Sequence, residues 1–219
     1  MLDLMLESMS ASKKDEMVTR LVYVAEVKET VTDKEVVEDF HRDLLARLGL
    51  DAEVSGVLLV LTHGFVFHFL ELFSRQTLPF LRELRAGLAS GPMDAVRVLL
   101  CTDDVGGFQW PQWTSQVVNL PEAGESHMDK LSPVVGKCYM NLLKLGKDLN
   151  AMSSNERKAA MTDLKTSSGA LLPDNEQIEF MAASKDSFPL NEYLALFDSP
   201  VDLEMESERV WPVPERLPY

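Results

Sequence analysis

The sequence predicts an α+β sandwich in which strands and helices follow in the order βαββαββ, extended at its C-terminal side by further helices. The first observation behind this is a hairpin. Two apolar runs, Val57 to Leu61 and Phe65 to Leu70, flank Thr62-His63-Gly64, with Gly64 free to take a positive-φ turn position. Neither run alternates apolar with polar residues, which is the pattern of strands whose sheet is covered on both faces. The second observation is a pair of amphipathic helical stretches bracketing that hairpin. The third is a long apolar stripe after residue 130 that needs a surface to cover.

In chain order, residues 1–17 form an N-terminal tail. Met1-Leu-Asp-Leu-Met-Leu-Glu7 alternates apolar and acidic residues, and Leu4 and Leu6 are its candidate partner-binding side chains. Arg20 to Val27 is rich in β-branched and aromatic residues, Tyr23 among them, and reads as the first strand. Thr32 and Glu35 have capping-box spacing. Val36, Phe40, Leu44 and Leu48 then recur every four residues, and Gly49 stands at a left-handed C-cap position, so a helix is expected over 33–48. After the hairpin, Leu78, Leu81, Leu84 and Leu88 space out a second helix. Pro79 places its start near Thr77, because proline belongs in a first turn.

Ala95 to Cys101 reads as a fourth strand and Asp103-Asp-Val-Gly-Gly107 as a turn. Trp110-Pro-Gln-Trp113 then leads into a fifth strand through Val117 and Val118. Two helices packed on one face of an antiparallel sheet in this order make a ferredoxin-like α+β sandwich over residues 18–122. Within residues 123–198, Leu131, Val135, Cys138, Leu142, Leu145 and Leu149 form a stripe at helical spacing, behind Ser132-Pro133. The face of the sheet carrying Phe65, Phe67 and Phe69 is its expected partner, in preference to a coiled coil, since the flanking charges are unmatched. Asp174 and Gln177 make another capping box, and Pro189 to Phe197 suits a short helix. Residues 199–219 run through Asp202, Glu204, Glu206 and Glu208 into a proline-rich end. Trp211 and Tyr219 supply large apolar surface there, as in an arm that lies extended on a partner or back on its own domain.

The composition narrows the function. In 219 residues the net charge is −14, which argues against sequence-independent binding to nucleic acid or to an anionic membrane, and any charged partner is expected to be locally basic. No run reaches the length of a membrane span, and the acidic start lacks the basic residues of a signal peptide, so a cytoplasmic protein is expected. Cys101 and Cys138 sit in apolar surroundings without metal-ligand spacing and read as reduced, small core side chains. There is no Gly-x-Ser-x-Gly elbow, no His-Glu-x-x-His and no phosphate-binding glycine loop, and Asp103, Asp104 and Asp198 fall at turns or helix ends. A non-enzymatic protein with no metal is the reading. His68 interrupts the apolar hairpin on the face shared by Val66 and Leu70. It is either a core histidine satisfied by a carbonyl or hydroxyl, or a residue of a pocket.

The element order, Leu21-Val-Tyr23, Ser55-Gly-Val-Leu-Leu, Gly64-Phe-Val-Phe-His-Phe-Leu-Glu71 and Trp110-Pro-Gln-Trp113 resemble BLUF domains, blue-light sensors that use FAD. The likeness covers roughly residues 18–120. It implies a flavin surrounded by a strand-one tyrosine, a glutamine in the Gly-x-x-x-Gln-x-Leu-Glu strand, an asparagine after the first helix, and a tryptophan and a methionine on the fifth strand. The tyrosine falls on Tyr23 and the tryptophan on Trp113. His68 stands at the glutamine, Gly49 near the asparagine and Ser115 at the methionine. Imidazole cannot present a donor and a carbonyl from one planar end, as the amide of that relay does. A lost asparagine leaves the flavin edge unpaired, at about 1–3 kcal/mol. Tyr23, His68 and Trp113 are therefore candidates for a vestigial pocket with no cofactor, FAD being the alternative in a light sensor or small-ligand module. The chain is also similar to testis-expressed BLUF-like proteins of sperm flagella. That likeness implies a structural docking component of a ciliary or flagellar axoneme whose partners are other cytoskeletal proteins.

Overall fold

The computed structural model describes residues 17–50, 52–120 and 128–199. The first seven elements follow the expected order: β1 (Val18–Val27), α1 (Glu35–Arg47), β2 (Ser55–Leu61), β3 (Phe65–Phe73), α2 (Ser74–Gly87), β4 (Met93–Val105) and β5 (Trp113–Val118). Then come α3 (Leu131–Ala151), α4 (Ser154–Thr162), α5 (Leu164–Ser168), a 3₁₀ turn at Gly169–Leu171, α6 (Asn175–Ala183), β6 (Phe188–Pro189) and α7 (Leu190–Phe197). The sheet order is β5-β2-β3-β1-β4-β6. Its inner pairs are antiparallel, as in a ferredoxin-like sandwich, and β5 joins β2 in parallel.

Both faces of the sheet are covered. On one, Leu21, Tyr23, Leu58, Val66 and Leu70 pack against α1, α2 and α7. On the other, Val22, Val57, Leu59, Phe67 and Phe69 pack against the long helix α3 and α4 to α6. All six stripe residues of α3, from Leu131 to Leu149, are buried in that second core, while Phe65 is half-buried at its margin. Burying six such side chains contributes roughly 9–18 kcal/mol at ~1.5–3 kcal/mol each, before entropy is set against it. That gain is what holds a 21-residue helix on the sheet.

Several expectations shift. The Thr32–Glu35 capping box does not form. The helix begins at Glu35, whose N–H is taken by Asp33 Oδ1 at 2.9 Å. Its buried residues are Val37, His41, Leu44 and Leu45, whereas Val36 is 47% exposed. A constant step of four drifts by about 40° per turn against the 3.6-residue helix, so Val36 turns outward, Phe40 stands at the margin and Leu44 lies in the core. The C-terminal end is as expected. Gly49 has φ +67°, with Gly49 N bonded to Ala46 O and Leu50 N to Leu45 O, a Schellman closure. Helix α2 starts three residues before Thr77, because Gln76 caps the Phe73 N–H, and this leaves Pro79 in the second turn. Arg75, whose carbonyl loses its helical donor there, is exposed to water.

Asp103 and Asp104 belong to β4 and not to a turn, which begins at Gly106. The extension is not helical throughout, since Pro189 and Phe188 pair with Arg97 and Val98 and add a sixth strand. No element was expected between α3 and residue 173. Two helices stand there, the first opened by a capping box of Ser153 and Glu156.

Trp110 ties the second face together. It is 2% exposed, its Nε1–H donates to Leu142 O at 3.0 Å, and its ring lies on Gly146 so closely that a Cβ there would sit 2.6 Å from Cδ1. A Gly146→Ala substitution should therefore cost about 1–3 kcal/mol through overpacking. Gly136→Ala, on an open stretch of the same helix, should stabilise by up to about 1 kcal/mol. Urea midpoints of the two variants check both signs.

Candidate functional site

Three of the positions singled out from sequence meet inside the first core. Tyr23 and His68 face each other across the β1–β3 register, and Trp113 reaches them from β5, which β2 and β3 separate from β1. Tyr23 and His68 have no exposed surface. The ring centroids of Tyr23 and His68 lie 5.0 Å apart and those of His68 and Trp113 6.2 Å apart, both edge-on.

A fourth residue, absent from the sequence reading, completes the group. His41 projects inward from α1, fully buried, with its centroid 5.2 Å from that of His68. Phe80 of α2 closes the other side, 6.4 Å from both Tyr23 and His68.

The four polar side chains form one directed chain of hydrogen bonds. Its ends fix its polarity, because an indole N–H only donates and a backbone carbonyl only accepts. Trp113 Nε1–H donates to His68 Nε2 at 3.0 Å, so the proton of His68 is on Nδ1. Nδ1–H then donates to the Tyr23 hydroxyl at 2.7 Å. That hydroxyl donates to His41 Nε2 at 2.8 Å, and His41 Nδ1–H donates to Val37 O at 2.7 Å. Each histidine carries one proton and uses both ring nitrogens. Burial keeps the rings neutral, pushing His41 down to about 4 and, helped by His41, holding His68 well below the usual imidazole range. Burial also raises the Tyr23 phenol well above 10.0.

The polar groups of this run are taken up within the protein. Every donor and acceptor of Tyr23, His68 and Trp113 in the chain has a protein partner, and His41 and Phe80 press against the same rings from the helix layer. Gly49 is a helix cap with no atom within 4 Å of the Cβ it lacks, so it offers no side-chain polar group to a ring edge. Ser115 stands near the Glu38 carboxyl, where it works against the upward shift that burial gives that group. In chemical terms the chain passes polarity from Trp113 to the first turn of α1 without a vacant end.

A second buried polar cluster surrounds Glu71, which is fully enclosed. It accepts from Arg20 Nε at 2.8 Å, Ser55 Oγ at 2.7 Å, and the N–H groups of Gln109 and Trp110, each at 2.8 Å. One carboxylate thus joins β1, β2, β3 and the segment ahead of β5. Asp103 accepts from Thr19 Oγ1 at 2.6 Å, and Asp198 closes the end of α7 by bonding Arg82 Nε at 2.8 Å. Both cysteines are free thiols raised by burial, Cys138 to about 12. Among the described residues no three His, Cys, Asp or Glu side chains converge as a metal site would need. No described helix is long and apolar enough to cross a membrane. Leu4, Leu6, Trp211 and Tyr219 lie outside the described residues.

A family profile described as testis-expressed protein 47 matches residues 17–199. No curated protein matches the chain. Among solved structures the chain is similar to BlrP1 BLUF, at 17% identity and a TM-score of 0.37, over 47% of this chain and 65% of that one. It is similar to the BLUF protein BlrB in its dark state, at 17% and 0.36, over 73% and 99%. It is also similar to a bacterial light-regulated adenylyl cyclase, at 17% and 0.38, over 66% of this chain and 40% of the cyclase.

The buried histidines set an acid limit on stability. An unfolded histidine takes up a proton near pH 6.5, whereas folded His41 does so only near 4, so between those values the unfolded state binds more protons and stability falls as pH falls. For His41 the loss should be about 2 kcal/mol by pH 5, and His68 adds a loss of the same sign. Thermal unfolding followed from pH 7.5 to 5 should show it. A melting temperature flat over that range would mean that the two rings are protonated in the fold.

Proposed function

The chain belongs to the testis-expressed protein 47 family, and on that premise we propose that it is a non-enzymatic docking component of a ciliary or flagellar assembly, the sperm axoneme in particular. In this reading a BLUF-like domain has given up flavin photochemistry and serves as a rigid block in the cytoplasm. No cofactor, nucleic acid or membrane takes part, and its partners are other cytoskeletal proteins.

The observation that carries the proposal is the closed run Trp113–His68–Tyr23–His41–Val37 O. A flavin sensor needs polar groups at this position that are free to pair with a ligand and to change partner. Here each group is paired within the protein. Opening the run to a flavin would require every freed donor and acceptor to find a matching group on the ring, each unmatched one costing about 1–3 kcal/mol. Rigid support of the same rings by α1 and α2 favours a scaffold over a switch.

Protein purified from cells should show no flavin absorption, and incubation with excess FAD should add none. Stoichiometric FAD binding with a light-induced red shift would replace this reading with that of a photoreceptor.

The docking half of the proposal rests on sequence, where Trp211 and Tyr219 stand among prolines beyond an acidic run and Leu4 and Leu6 in an apolar-acidic start. Tryptophan is frequent among interface anchors, and prolines lower the entropy lost when an extended segment is ordered. A Trp211→Ala variant should keep its melting temperature while recovering less of its native assembly from flagellated cells. Loss of stability with unchanged recovery would assign the residue to the chain's own fold.

A further inference from the structure

The outer edge of β5 is an unfinished strand. In the parallel β2–β5 pair, Gly56 N donates to Gln112 O and Thr62 N to Val118 O, so the even-numbered residues of β5 face β2. The N–H and C=O groups of Trp113, Ser115 and Val117 therefore point away from the sheet. Among the described residues none bonds to them. The strand also lacks the usual protections of an edge, since Trp113-Thr-Ser-Gln-Val-Val118 contains no charge and no proline.

Helix α4 approaches this edge without covering it. Gln116 holds the helix at its far end, through its Nε2–H to Met161 O at 2.6 Å and its Oε1 to Leu164 N–H at 3.3 Å. Between strand and helix lies a cleft of about 510 Å³. It is lined by Thr114, Ser115 and Gln116 on one wall and by Arg157, Lys158 and Met161 on the other.

The cleft is basic in an acidic protein. Neither Arg157 nor Lys158 forms an ion pair among the described residues, and no Asp or Glu lines the cleft. Arg157 donates from Nη2 to Met152 O at 3.2 Å, while its Nε is shielded and unpartnered.

We propose that this cleft takes an extended acidic segment of a partner protein, which adds to the sheet beside β5. The main chain of the segment would bond to the outward groups of Trp113, Ser115 and Val117. Carboxylates at alternate positions would face Arg157 and Lys158, since every second side chain of a strand lies on one face. The inference gives the docking reading a surface and a partner chemistry. It rests on that reading only for its setting, because peptide binding in solution does not depend on where the protein resides.

The test uses the full chain and a fluorescent synthetic peptide, Thr-Glu-Val-Glu-Thr-Glu-Val. Saturable binding is expected. It should weaken at least tenfold in Arg157→Glu/Lys158→Glu, be absent for a peptide with Lys in place of Glu, and slow amide exchange at Ser115 and Val117. A second variant, Ser115→Pro, removes an outward N–H at an edge that tolerates proline and should also abolish binding, with circular dichroism confirming that each variant is folded. Absence of binding, or binding indifferent to charge reversal, overturns the proposal. So does slow exchange of these amides in the free chain, which would mean that another part of the protein or a second copy already lies on the edge.

Discussion

Covering a sheet on both faces removes water from the side chains of its central strands, and this constraint shapes most of what is unusual in the chain. Strands β2 and β3 are buried along nearly their whole length, so each polar group among them must be satisfied by protein atoms. Two such groups exist on β3, His68 and Glu71. Around His68 the solution is a run of neutral groups with fixed polarity. Around Glu71 it is a charge held by Arg20, a hydroxyl and backbone N–H groups. Each draws residues from elements far apart in sequence, and so each also fixes how those elements meet.

The two clusters divide the architecture between them. The His68 run joins β5, β3, β1 and α1 on the first face. The Glu71 cluster positions the segment before β5, whose Trp110 then passes to the second face and seats α3 at Gly146. Gly56 permits the approach of β2 to β3 beside Glu71. Its φ is +127°, and a Cβ there would lie 2.2 Å from Phe69 O. The positions at which the chain resembles a flavin sensor thus serve its own packing.

The contrast between the two edges of the sheet follows from the same economy of polar groups. At β4 the outer edge is partly closed by the short strand β6 and by α7. At β5, among the described residues, a single glutamine ties α4 to the strand, and the outward backbone groups stand beside two cations. A sheet whose faces are sealed can take on another chain only at such an edge.

The order of the first seven elements, the turn at Gly64, the C-cap at Gly49 and the inward stripe of α3 were legible in the residues alone. Each depends on a short-range period or on one residue's backbone freedom, and these are written locally. His41 was legible in principle, since Val37, His41, Leu44 and Leu45 have the spacing of a helical face. A step of four instead of 3.6 hid it. The Ser153–Glu156 capping box likewise announced α4. Tertiary structure alone decided which partners satisfy His68, because sequence can say that a buried imidazole needs a donor and an acceptor but not which chain segments will supply them. The same holds for the outer edge of β5, where the parallel register with β2, set by long-range pairing, selects the backbone groups that face outward.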